Sequence, residues 1–474
     1  MRRFLILAAP IAAASLVFAC EDDPQNNPGV QFPEAGTVDT FRPPSDSGQP
    51  QQDAQPDVEA GPPTTVSVLV YKRSVTPSAG VTVVFHDANG AVLETKTTDA
   101  TGRATSTAGG PIPAMATALL GKDISDKELI TWTGVEAGDE LIAAEPERQT
   151  SVGTYSVTIP GNFGDAGTYE LRFGNCFSNG GGGEPIVSDV SSDCVGPLNA
   201  PYVKAIDNGE AVGFAFKKNV PPPVDGGNVD VTGLSAGTVP SDFTVSVLNK
   251  PGIQGPIAQL IEVANNIGTR NSFPKGLDQA DQVKFKVGGA AYADAYQASI
   301  DIPGTTFYRG RSMVTRFANT ATTATFDCQQ ALPEMTETML DLTDKVRPTA
   351  SWTAASALAG TDGGFVKMNF FAGGQTESTV TWTIIVPPSA GTTGTVKAPA
   401  LPATGTTGWV PDTNAQQGWS QYITTTFAEA DAIADYKSFR KLQAIVNEAA
   451  NSTPLVLPAN GSFKTTVVQT QPPL

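Results

Sequence analysis

The chain is poor in the residues that carry most enzyme chemistry. It has one histidine, His86, and four cysteines in 474 residues. A single imidazole rules out a His-rich metal site within one chain, and no CxxC pair is present to nucleate zinc. Basic residues are also scarce, with 30 Lys and Arg against 47 Asp and Glu and a net charge of −17. No Lys/Arg cluster could follow a phosphate backbone, so nucleic acid is not an expected partner. Only one long apolar run occurs, at the start, and no second run is available to cross a bilayer. A dinucleotide fingerprint, P-loop, HExxH and c-type haem motif are all missing. No cofactor is therefore expected, and no metal site.

What is present begins with that first run. Arg2 and Arg3 form a basic n-region, Phe4 to Phe18 a nearly uncharged h-region, and small Ala19 stands before Cys20. This is the layout of a secretory signal, too short to be a membrane span. The string Leu16-Val17-Phe18-Ala19-Cys20 resembles the lipobox of bacterial lipoproteins. The resemblance implies removal of residues 1–19, diacylation of the Cys20 thiol and acylation of its new amino group. An acidic protein is repelled by anionic membranes, so attachment would come from acyl chains, which anchor stably in twos or threes. The expected location is the bacterial cell envelope, lipid-anchored. The outer membrane is preferred, with the inner left open because Glu21 follows the anchor and sorting rules differ between bacteria.

Residues 20–63 read as the lipidated cysteine followed by a disordered acidic linker. From Glu21 to Thr65 there are nine acidic residues against the single Arg42, with nine prolines, six glutamines and no apolar periodicity. Such a segment cannot bury enough surface to offset its ordering entropy, and its charge and prolines keep it extended.

From Val66 the texture becomes strands and turns. Val66, Val68 and Val70 alternate with Ser67 and Leu69, and Val81, Val83 and Phe85 alternate with Thr82, Val84 and His86. Asp87-Ala88-Asn89-Gly90 is a hairpin turn, Asn-Gly tolerating positive φ, and Asp99-Ala100-Thr101-Gly102 follows the next strand. This meander resembles carboxypeptidase regulatory-like (prealbumin-like) and bacterial Ig-like β-sandwiches over residues 64–145. The resemblance implies a non-catalytic accessory module with no active-site residues to carry over. The alternation continues at Tyr155–Ile159, Tyr169–Phe173, Val212–Phe216, Phe243–Val247 and Val283–Val287. Pro221-Pro222-Pro223 suggests a boundary, giving a β region over 146–220 and a β domain over 229–345. The last part, 346–474, reads as a sandwich around Val380, Trp382, Ile384 and Val386, with a short strand at Thr395–Ala398. Two helices are expected. One is Ile257–Ile267, where Ile257, Leu260, Ile261 and Ala264 share a face. The other runs from Phe427 to about Ala450, with Thr426 and Glu429 as a capping box and Ile433, Tyr436, Phe439, Leu442 and Val446 on one face.

Cys176 and Cys194 flank Phe177–Asp193, a glycine-rich stretch read as a loop. A disulfide across it suits an oxidising compartment and would add about 3 kcal/mol. Cys328 is then left as a buried small hydrophobe.

The remaining candidates for chemistry fail on context. Gly233-Leu234-Ser235-Ala236-Gly237 fits GxSxG, but a nucleophile elbow needs a histidine after the serine, and His86 precedes it. Ser438-Phe439-Arg440-Lys441 fits SxxK without the partner motifs of the penicillin-recognising enzymes. His86 reads as a partly exposed strand residue. Glu429, Asp431 and Asp435, and the turns at 87–90 and 207–210, lack calcium-loop spacing and are explained by the helix dipole and turn chemistry. Trp409, Trp419 and Tyr422 could stack on carbohydrate, but packing the sheet under the helix is the favoured reading.

The expectation is a mainly β protein: two or three antiparallel β-sandwich domains after a signal peptide and disordered tether, with one C-terminal helix. Its expected role is non-catalytic display, adhesion or partner binding, with a protein or glycan ligand held by loops such as Phe177–Asp193 and Ala390–Trp419. Two alternatives stand beside it: a carbohydrate- or peptidoglycan-active hydrolase using a carboxylate pair, and a subunit of an envelope assembly.

Overall fold

The computed structural model describes residues 64–470 except 73–75, 122–126, 146–150, 161–166, 175, 182–184, 192–193, 195–197, 208–209, 239, 253–254, 266, 278–279, 306–308, 372–378, 404–408, 410–419, 442–456 and 458–460. The lipobox, Cys20, the acidic linker and Trp419 lie outside the described residues.

The described chain is mainly β, as its alternating patterns predict. One 13-stranded sheet runs through it. From one edge its order is Ile267–Arg270, Ile257–Ala264, Ala295–Pro303, Arg309–Ala318, Ser462–Thr470, Ser420–Ala430, Gly363–Phe371, Thr379–Val386, Lys127–Thr133, Met115–Leu120, Thr82–His86 and Val92–Thr97, with the thirteenth, Lys275–Gly276, pairing with Ile257–Ala264 off this path. Its neighbours are antiparallel except Thr379–Val386 against Lys127–Thr133. Five smaller sheets pack around it.

Alternation decides which face each residue takes. On Thr82–His86, Val83 and Phe85 join a core with Val66, Val68 and Val70 of the Ser67–Lys72 strand region. Val84 points the other way, into a core with Ala350 and Trp352 of Thr349–Ala354. This part of the sheet is thus the middle of three layers, which is why Thr82–His86 is almost wholly buried. Farther along the sheet, Ala258, Leu260, Ala298 and Ile300 face Phe243, Val245 and Phe285 of the smaller sheet built on Ser241–Leu248. A fourth core lies between Ser151–Val157 and Thr168–Phe173 with Tyr202–Asp207.

Pairing crosses the prolines at 221–223. Gly227–Val231 runs parallel to Ser151–Val157, and Ser235–Thr238 pairs with Glu210–Phe216. Likewise, strands after residue 346 pair with Lys127–Thr133 and with Arg309–Ala318.

Both expected helices need correction. Ile257–Ala264 is a strand hydrogen-bonded on both sides, to Ile267–Arg270 and Ala295–Pro303. Its near-continuous burial mimics a helix face, and a short apolar run does not distinguish the two by period. Thr426 and Glu429 do not cap a helix; they lie in the strand Ser420–Ala430, opposite Val467 and Lys464. The β-branched run Ile423–Thr426 suits a pleated ladder with partners on both sides. The helix is confined to Tyr436–Lys441 among the described residues, and its cap is Asp435, whose Oδ1 accepts from Ser438 N at 2.7 Å. Phe439 is fully buried there, in the core of the first sandwich.

The stretch between Cys176 and Cys194 also differs from a loop. It folds into Cys176–Gly180 and Ile186–Ser191, which pair with different sheets. Cys176 and Cys194 are disulfide-bonded and Cys328 is free and buried.

Candidate functional site, a buried charge cluster under two exposed phenylalanines

The sequence candidates are dispersed. Ser235 donates its hydroxyl to Phe216 O at 2.9 Å and opens the strand Ser235–Thr238, so GxSxG leads from Gly233, whose φ is 67°, into a sheet strand and not into a strand-to-helix elbow. Ser438 sits in the short helix with its amide on Asp435. Glu429 is spent on Lys464 at 3.0 Å, and Asp431 accepts from Ser462 at 2.7 Å. Asp87 Oδ1 accepts from the amides of Asn89 and Ala91 at 2.8 Å each, which is ordinary turn chemistry. Trp409 is buried under the Lys127 ammonium, and Tyr422 is half-buried.

His86 is not partly exposed; it is completely buried. Its Nε2 meets Thr117 Oγ1 at 2.9 Å, Thr117 meets Thr131 at 2.9 Å, and Trp382 Nε1 donates to Thr131 Oγ1 at 2.9 Å. The four residues form a row across adjacent strands. Its Nδ1 has no hydrogen-bond partner among the described residues. Burial, aided by Arg347, pushes the imidazole down to about 4, so it stays neutral at ordinary pH.

The groups that do converge were not legible as a set in the sequence. They come from three segments. Lys204 lies on Tyr202–Asp207, Glu262 on Ile257–Ala264, and Asn271 directly follows Ile267–Arg270. Each occupies a position that alternation assigns to the core: Glu262 shares its face with Ala258, Leu260 and Ala264, and Lys204 shares one with Tyr202. Relative exposures of 3%, 0% and 1% for Lys204, Glu262 and Asn271 put all three out of water. The Lys204 ammonium donates to the main-chain carbonyl of Asn271. Asn271 Nδ2 donates to Glu262 Oε1 at 2.5 Å and to Lys286 O at 2.7 Å. Gly288 N donates to the other carboxylate oxygen at 3.0 Å. A side chain at 288 would collide with the Phe214 ring, 2.3 Å from an added Cβ, so glycine is what lets this backbone reach Glu262.

Aromatic rings wall the cluster. Tyr202 stacks on Phe214 at 4.8 Å and meets Tyr292 edge-on at 5.1 Å. In this dry setting burial pushes Lys204 well below the usual lysine range and Glu262 above the usual carboxylate range, each partly opposed by attraction to the other.

Toward the surface, Arg172 pairs with Glu170 at 3.1 Å, and Glu170 stands opposite Lys204 in register. The Arg172 guanidinium lies 5.4 Å from the Phe177 ring and 5.7 Å from the Phe273 ring. Those rings contact each other edge-on, yet are 46% and 67% exposed. Two large exposed aromatic rings are thus held in place over a single cation.

No protein-family model matches the chain, and no curated protein matches it in sequence. Among solved structures it is similar to the Bacillus anthracis TIE protein, at 9% identity and a TM-score of 0.15, covering 56% of this chain and 50% of that one. It is also similar to BcpA, the major pilin subunit of Bacillus cereus, at 10% identity and a TM-score of 0.14, covering 56% of this chain and 98% of that one. The native conformation of E. coli alpha-2-macroglobulin is similar at 11% identity and a TM-score of 0.13, covering 74% of this chain and 26% of that one. The chain spans about half the length of the first of these.

Proposed function

We propose that this protein is a membrane-anchored bacterial surface lipoprotein that displays a β-sandwich scaffold for partner binding and performs no catalysis. Cys20 is its lipid attachment site and the acidic linker its spacer. The observation that carries the reading is the Phe177–Arg172–Phe273 cluster. It presents two aromatic faces to solvent on a rigid, disulfide-bonded β framework, which is how binding surfaces hold their anchors. The hydroxyls and carboxylates that sequence motifs singled out are instead taken up by turns, caps, ion pairs and a strand carbonyl, and the imidazole by a buried hydrogen bond to Thr117. The ligand class is a protein or glycan offering an apolar or ring face.

The test is retention of envelope proteins and of an arrayed glycan set by the fragment 64–474, run beside a Phe177→Ala/Phe273→Ala variant. A specific ligand retained at physiological salt by the parent and lost by the variant supports the reading. Degradation of a peptidoglycan or polysaccharide sample, with nothing retained, overturns it. Attachment is tested separately in cells by labelling with a palmitate analogue, which Cys20→Ser should abolish.

A further inference from the structure

The cluster of Lys204, Glu262 and Asn271 is an unusual way to fill a core. Two opposite charges buried together give little net stability over apolar residues of the same size, and here both meet Asn271, the residue between them. Three features coincide. The amine of Lys204 sits on the residue that carries the carboxamide, through its contact with the Asn271 carbonyl. The leaving nitrogen, Asn271 Nδ2, rests against a carboxylate oxygen of Glu262 at 2.5 Å. All three groups are shut off from water by Tyr202, Phe214 and Tyr292.

We propose that Lys204 and Asn271 become joined by an amide between Lys204 Nζ and Asn271 Cγ, with Glu262 moving the protons. The reaction starts from Lys204 as ammonium and Glu262 as carboxylate. Burial disfavours both charges, so the proton passes from Nζ to Glu262 and leaves a free amine beside a neutral acid. The amine lone pair attacks Cγ, forming the Nζ–Cγ bond. Glu262 gives its proton to Nδ2, the Cγ–Nδ2 bond breaks, and the nitrogen departs as ammonia. Glu262 takes back one proton from the attacking nitrogen. The products are a neutral amide, a neutral Glu262 and one ammonia; no oxidant, reductant or metal is consumed. The approach of Gly288 N to Glu262 at 3.0 Å holds the acid in place through these steps.

The bond would tie Tyr202–Asp207 to the segment after Ile267–Arg270, closing a stretch of 67 residues between two different sheets. Unlike the Cys176–Cys194 disulfide, it would survive reductant.

The experiment is peptide mapping of the full chain after reduction, alkylation and digestion with trypsin. An acylated Lys204 resists cleavage, so the expected product is peptide 173–217 joined to peptide 271–275, lighter by one ammonia than the two together. Glu262→Gln keeps both reacting groups without the proton carrier and should give the two segments unlinked, with cleavage restored after Lys204. A wild-type digest with cleavage after Lys204 and a free 271–275 peptide overturns the proposal, as does a blocked Lys204 that is not linked to Asn271. The wild-type map decides the question even if the variant fails to fold, and it is independent of ligand binding at Phe177 and Phe273.

Discussion

His86 shows how one side chain sets a pH dependence. Its pKa falls from 6.5 to about 4 on folding because burial disfavours the charged ring. The folded state therefore prefers the neutral form. The stability so contributed is fully present above pH 6.5 and is lost as pH falls toward 4, reaching about 3 kcal/mol. Asp301 acts in the opposite sense: burial raises it to about 6, so its contribution is present at acid pH and lost as pH rises through 6. The difference between wild type and His86→Gln isolates the histidine. In urea denaturation that difference should shrink by about 3 kcal/mol between pH 7 and pH 4; a pH-independent difference would mean that His86 can charge inside the fold. The burial of His86 was not legible from composition, because alternation places it with Val84 but does not show that a second sheet covers that face. Lys204 and Glu262 were hidden for a related reason. A charged residue in an apolar row reads as a solvated position until its partners, remote in sequence, are known.

Among the elements, the helix Tyr436–Lys441 is short but firmly held. Arg440 and Asp139 form a buried ion pair in which both side chains are almost inaccessible, and Arg440 also donates to Gly134 O. Tyr436 donates to Thr133 O at 3.0 Å. The helix thus plugs the end of the first sandwich. Arg440→Met leaves the Asp139 charge buried with only Glu136 N and the more distant Lys437 for company, so it should cost about 3 kcal/mol. Adding Asp139→Asn should recover part of that loss, measured as guanidinium midpoints. Strand positions with strict alternation, such as Phe243–Val247, were legible; the two helix assignments were not. Ile257–Ala264 has a period that fits either state, and the run through Thr426 carried a capping pattern that pairing on two sides overrode.

For the molecule as a whole, local pattern gave the class but not the connectivity. The sheet joins Thr82–His86 to Ser462–Thr470 through partners hundreds of residues apart, and no spacing rule encodes such contacts. One consequence is measurable. A fragment 64–345 lacks Gly363–Phe371, Thr379–Val386, Ser420–Ala430 and Ser462–Thr470, leaving bare edges on Lys127–Thr133 and Arg309–Ala318. It should be recovered as aggregate, whereas 64–474 stays soluble and unfolds cooperatively; a soluble, folded 64–345 would show that the halves are self-sufficient. The place of Ser462–Thr470 also bears on timing. It is made last among the described strands, yet it lies mid-sheet between Arg309–Ala318 and Ser420–Ala430. Synthesis of nearly the whole chain must precede closure of that gap, so these contacts are long-range in sequence and form late. Whatever machinery handles the nascent protein has to shield those neighbours until residue 470 emerges.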